Sequence, residues 1–131
     1  ETPLTYIMYA WHDVPGLQKF GKYTANDSSD GPFIELGFRP AIVWLKPSTR
    51  TGNWTVIDLK RDTFNVTTKR LSLNLSTSET DQVATTIDIL SNGFKCRTNS
   101  GDVNDSTNTY IYCAWAEAPT VDLYGGGANA R

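Results

Sequence analysis

Leu71-Ser72-Leu73-Asn74-Leu75-Ser76 alternates apolar and polar side chains at every step. Successive side chains of a β-strand point to opposite faces, so this stretch predicts a strand with one buried and one wet face. Val83, Thr85, Ile87 and Ile89 repeat the alternation, and Ser91-Asn92-Gly93 predicts a tight turn into a further strand over 94–98. Outward from there, residues 33–36, 41–46, 54–59 and 109–116 form short apolar-rich runs separated by Gly, Pro, Asn and Asp. Pro40 stands where a strand begins, a place a proline tolerates. No segment carries a capped apolar stripe of 3.6-residue period. The expectation is all-β, a sandwich or a barrel.

A second feature is a repeat. Thr5-Tyr6-Ile7-Met8-Tyr9-Ala10-Trp11 matches Thr109-Tyr110-Ile111-Tyr112-Cys113-Ala114-Trp115 at five of seven positions, and Pro15 and Pro119 follow at the same offset. The expectation is a tandem module, with residues 1–15 the closing strand of a preceding unit or an edge strand. Residues 16–119 would then form the sandwich and 120–131 a Gly-rich tail. Tyr6, Ile7, Tyr9 and Trp11 would belong to an assembly strand, nearly all apolar and buried on both faces. Three arrangements stay open for it: an ordinary first strand, a strand bordering the next unit, or one supplied to a neighbouring chain.

Length and charge narrow the function classes. A chain of 131 residues with 39% hydrophobic content supports one domain with an ordinary core. A net charge of −2 with no basic run argues against nucleic acid, which needs clustered Lys or Arg. No apolar run reaches membrane-spanning length, so membrane insertion is not expected.

Chemistry-bearing clusters are sparse. His12 is the single histidine, and Asp13 beside it would point to the opposite face of a strand, so a catalytic triad is not expected. No His, Cys and carboxylate set has metal-ligand spacing, and no cofactor is expected. Asp27 with Asp30, and Asp102 with Asp105, read as turn-forming residues before calcium ligands. Asp58, Asp62, Glu79, Asp88 and Glu117 carry no spacing that fixes a glycosidase pair. The chain therefore reads as a binding or structural module and not an enzyme. Lys46, Asp58 and Arg61 are expected to form a charged network.

Cys96 and Cys113 would face each other if the last two strands paired, which makes a disulfide conceivable; buried apolar thiols are the plainer reading. Trp11, Trp44 and Trp115 lie within apolar runs and read as core. Trp54, at a loop's edge, either opens a core strand or stacks on a sugar ring.

Phe20-Gly21-Lys22-Tyr23-Thr24, Asp30-Gly31-Pro32-Phe33, Gly37-Phe38-Arg39-Pro40-Ala41, Ile89-Leu90-Ser91-Asn92-Gly93-Phe94-Lys95 and Ala114-Trp115-Ala116-Glu117-Ala118-Pro119 together make a recognisable pattern. It is similar to a module of bacteriophage tail-fibre and other virion proteins, common in marine and cyanobacterial phages. The set Phe38, Pro40, Val43, Trp44, Lys46, Asp58 and Arg61 resembles SPRY-like modules of phage tail proteins. These resemblances imply an antiparallel β-sandwich of jelly-roll or concanavalin-A-like kind, located on a virion or outside the cell. They imply a structural or adhesion domain, a homo-oligomer (trimer or filament) whose loops contact host glycan or receptor. Asn26, Asp27, Asp30, Trp54, Asn104 and Asp105 are the expected contact residues. A purely structural filament, fibre or capsid-decoration subunit is the alternative, and a polysaccharide-degrading enzyme a third.

Overall fold

The computed structural model describes residues 5–81 and 87–118. Val83 and Thr85, Pro119 and the Gly-rich residues 120–131 lie outside them. Among the described residues the ordered elements are strands: β1 (Gln18–Thr24), β2 (Phe33–Glu35), β3 (Pro40–Pro47), β4 (Thr55–Asp58), β5 (Lys69–Ser72), β6 (Thr80–Asp81), β7 (Ile87–Leu90), β8 (Gly93–Cys96) and β9 (Thr109–Ala116). They form two antiparallel sheets, β1-β9-β3-β4-β5-β6 and β2-β8-β7. The fold is thus the all-β sandwich that the alternation predicts.

Alternation decides what each strand buries. Tyr110, Tyr112 and Ala114 of β9, Val43 and Leu45 of β3 and Ile57 of β4 turn into the space between the sheets. They meet Ile34, Ile87, Ile89, Phe94 and Cys96 of the smaller sheet. Tyr23 stacks on Tyr110 at 5.3 Å and meets Phe94 edge-on, while Phe94 meets Tyr112 at 5.9 Å. Each such fully buried side chain stabilises the fold by about 1.5–3 kcal/mol. The hydroxyls also find partners: Tyr23 donates to the Val103 carbonyl at 2.6 Å and Tyr110 to that of Gly101 at 2.8 Å. Those bonds dock the β8–β9 loop onto the core.

Strand spacing inside the sheets constrains two glycines. A Cβ on Gly93 would overlap the carbonyl oxygen of Ile34 on β2, so the β7–β8 hairpin closes there only on a bare backbone. On Gly21 a Cβ would come within 2.7 Å of the Tyr112 hydroxyl, whose ring lies over that point of β1.

Several expectations need correcting. Strand β1 is absent from the sequence reading because Gln18-Lys19-Phe20-Gly21-Lys22 shows little apolar alternation; pairing with β9 along seven residues makes it a strand. Leu73 and Leu75 continue the alternation of residues 71–76 beyond the strand, which stops at Ser72, and both are exposed. The assembly-strand residues are not a buried strand. Residues 5–13 belong to no sheet, and Tyr6, Ile7, Met8 and Tyr9 are 82%, 81%, 85% and 75% exposed. The position their sequence mimics is already filled by β9, which is paired on both edges by β1 and β3.

The conceivable disulfide is likewise excluded: Cys96 and Cys113 are both free. Strands β8 and β9 do not pair with each other but lie in opposite sheets. Cys96 faces the core, whereas Cys113 sits between the inward Tyr112 and Ala114 and therefore faces outward.

Candidate functional site

The two outer faces differ in chemistry. On the smaller sheet, Asp30 meets Lys95 at 2.7 Å and Arg97 meets Asp88 at 3.3 Å, a charged surface suited to water. Lys95 donates a hydrogen bond to Asp30 and holds its carboxyl below the usual range. The larger sheet is different. Its registers place Phe20 opposite Cys113, Cys113 opposite Trp44, Trp44 opposite Val56 and Val56 opposite Leu71. Five strands therefore contribute one apolar row to the outside of the molecule. Trp115 reinforces it, edge-on to Trp44 at 4.9 Å and to Phe20 at 5.7 Å. Trp44 and Trp115, expected in the core, belong to this outer face.

Residues 5–13 explain how the row becomes a cleft. Val14 pairs with Gln18 around a tight turn in which Gly16 takes a positive φ of 70°. The Asp13 carboxylate then accepts the Phe20 N–H at 2.8 Å, and Gln18 donates its amide to the His12 carbonyl. These bonds turn the chain off the edge of β1 and over the outer face. There Trp11 stacks on Phe20 and Tyr9 on Trp11. Tyr9, Trp11, Trp44, Trp54, Leu73, Asn74 and Cys113 enclose a cleft of about 410 Å³, the size of a small-ligand site.

Polar groups at its rim are fixed in place. Asn74 accepts the Trp54 N–H on Oδ1 at 2.9 Å and donates to Asn53 Oδ1 at 2.9 Å. A carboxamide has two N–H groups and two lone pairs, so one of each stays available for a ligand. The indole Nε1 of Trp44 is buried and meets no acceptor among the described residues. Cys113, partly buried at the floor, has its thiol pushed up by desolvation and stays protonated.

The six expected contact residues divide. Trp54 lies at this cleft. Asn26, Asp27, Asp30, Asn104 and Asp105 lie in the β1–β2 and β8–β9 loops, which the side chain of Asn104 ties together. Asn104 is fully buried; it accepts the Asn26 N–H and donates to Asn26 Oδ1 and to the carbonyls of Ser28 and Thr98. Asp105 is paired with Arg50, and Asp27 is exposed with a positive φ of 55°. Of these loop residues, Asn26, Asp27 and Asp30 are exposed.

Other expected clusters also resolve. His12 Nδ1 meets the Asp13 carbonyl, not its carboxylate. Asp58 and Glu79 both bind Arg61, whereas Lys46 donates to the Gly52 carbonyl and stands apart from that network. Among the described residues, no three His, Cys, Asp or Glu side chains converge as a metal site would require. No helix there is long and apolar enough to cross a membrane.

Trp44, Leu73 and Asn74 are cleft residues to which the sequence reading gave no site role, and it gave Tyr9 and Cys113 other roles, in an assembly strand and a conceivable disulfide. Continuous apolar runs such as residues 109–116 hide which face each residue takes. The one usable signal is Tyr110, Tyr112 and Ala114: once these are inward, Cys113 and Trp115 must face out.

The chain belongs to the family described as domain of unknown function DUF7483, whose model matches residues 2–119. No curated protein and no solved structure matches it.

Proposed function

We propose that this DUF7483 chain is an adhesion module of a virion appendage, a tail fibre or a similar extracellular structure, that holds host-surface glycan on the outer face of its larger sheet. One observation carries the reading: indole and phenol rings line a shallow cleft with the orientation-fixed amide of Asn74 at its rim. The C–H face of a pyranose is apolar while its edge carries hydroxyls, so a ring wall beside an amide suits both. The phage tail-fibre resemblance of the motifs supports the setting. Repetition of one weak site across an oligomer supplies avidity. The reading assigns no catalysis, because Asp58 and Glu79 converge on the guanidinium of Arg61 and away from the cleft's lining.

A glycan array followed by titration calorimetry tests it. The native chain binds a host-surface saccharide, and Trp54→Ala weakens that binding by about tenfold or more, as expected for an apolar contact on the order of 1.5 kcal/mol. Equal affinity in Trp54→Ala, or no saccharide bound by the native chain, refutes the reading. Antibody labelling of intact particles checks the location.

A further inference from the structure

Residues 5–11 repeat most of the sequence of β9; Trp11 and Tyr9 lie over the outer face, but Tyr6, Ile7 and Met8 are left exposed. In β9 that sequence turns Tyr110, Tyr112 and Ala114 inward and Ile111, Cys113 and Trp115 outward, and it pairs antiparallel with β1. The same alternation in residues 5–11 directs Tyr6, Met8 and Ala10 to one face and Ile7, Tyr9 and Trp11 to the other. A segment of this composition, with Tyr6, Ile7 and Met8 about four-fifths exposed, is a surface awaiting a partner.

The complementary edge is also visible. In the larger sheet β9 covers one side of β1, and the other side is a sheet edge. Gln18 and Phe20 direct their backbone groups to that edge, where Val14 and Asp13 meet them. Ladder geometry then directs the N–H and C=O of Lys22 and Thr24 the same way. Edges of this kind are templates for a further strand.

The chain's own residues 5–11 cannot use that edge with the alternation they carry. The Val14–Gln18 bridge fixes the parity of any continuing hairpin, with His12 opposite Phe20 and Ala10 opposite Lys22. Tyr9 and Trp11 would then turn to the inner face, beside Tyr23 and Gly21, the reverse of the β9 pattern. A shift of one residue moves every side chain to the other face. A second copy is free of the turn and so of its parity.

We infer that residues 5–9 of one copy add as an antiparallel strand to the free edge of β1 in a second copy. The register is the one β9 already uses, with Ile7 opposite Lys22 and Tyr9 opposite Phe20. Asp13 releases the Phe20 N–H, which the Tyr9 carbonyl then accepts. The outer apolar row extends across the interface from Phe20 to the partner's Tyr9. This pairing does not rest on the glycan reading. Tyr9 leaves its own chain's cleft on pairing while Trp54 and Asn74 keep their places on the sheet, so loss of binding in Trp54→Ala and loss of association in Ile7→Asp test the two ideas separately.

Sedimentation and disulfide trapping of the full chain test it. The native chain sediments as a dimer or larger at high protein concentration, and Ile7→Asp sediments as a monomer with an unchanged circular dichroism spectrum. Chains carrying Ile7→Cys, mixed with chains carrying Lys22→Cys and oxidised, give a linked pair containing one of each. Native chain mixed with either variant gives none at those positions. A monomeric native chain, an association untouched by Ile7→Asp, or a double variant Ile7→Cys/Lys22→Cys that closes within one chain overturns the inference.

Discussion

Replacing Asn104 by alanine removes the only side chain that bonds the β1–β2 loop to the β8–β9 loop from a fully buried position among the described residues. The Asn104 amide shares its two N–H groups among three acceptors at 2.8–3.0 Å and accepts the Asn26 N–H at 2.9 Å, and all of these contacts disappear together. Water can reach Asn26, which is exposed, and restores part of the loss there. The carbonyls of Ser28 and Thr98 each lose the Asn104 amide as a donor. Neutral hydrogen bonds contribute about 1 kcal/mol each, so the two amide hydrogens and the accepted Asn26 N–H together give a loss of about 3 kcal/mol. For a chain of this size that is a fall of roughly 10 °C in the melting midpoint. Chemical and thermal unfolding followed by circular dichroism measure it. Asn104→Asp, which keeps Oδ1 but removes both donors and buries a charge, falls at least as far. A loss below about 1 kcal/mol refutes the reasoning. So does a variant of native stability that fails to bind glycan, because Asn104 would then be a contact residue and not a brace.

Two further outcomes follow from the ionisable groups. Burial alone would raise Asp58 and Asp62, but hydrogen bonds from Arg61 and Lys60 to the first, and from Thr68 and Lys69 to the second, hold both below the usual carboxylate range. Their stabilisation is complete above the unfolded value of about 3.9 and disappears as pH falls through the lower folded values. The melting midpoint therefore declines below about pH 4, and Asp62→Asn lowers it near neutrality while flattening that decline; an acid limb unchanged in Asp62→Asn contradicts the assignment. Desolvation pushes the Cys96 thiol up to about 12 despite the Tyr23 hydroxyl beside it, and Cys113 is raised by the same cause. At mildly alkaline pH the folded chain should react slowly with a thiol reagent, Cys113 before Cys96, and intact mass after oxidation should show two free thiols; a rapid reaction of Cys96 or a Cys96–Cys113 bond counts against the fold.

How much of this is legible beforehand differs by element. Strand β9 is readable to the residue, because 109–116 is a dense apolar run bounded by Asn108 and by the Glu117–Ala118 bend. Strand β1 is not, since an edge strand with two lysines and a glycine owes its form to the neighbour it pairs with. The site follows the same division. Trp54 drew attention as a loop-edge indole, whereas Trp44 and Trp115 looked like core because their neighbours are apolar too. Asn104 looked like a loop ligand, and only the fold shows it inside, bridging residues 78 positions apart.

By itself the sequence determined an all-β fold, sandwich or barrel, the order of most of its strands and the repeat of β9's sequence at residues 5–11. Alternation and turn residues act between near neighbours, so they are written locally. Tertiary structure decided which sheet each strand joins, which face of a wholly apolar strand looks outward, and that the repeated segment leaves its own sheet. Those choices rest on pairings between distant residues, such as Cys113 with Trp44 and Phe20, and on the Val14–Gln18 turn whose parity no composition reveals.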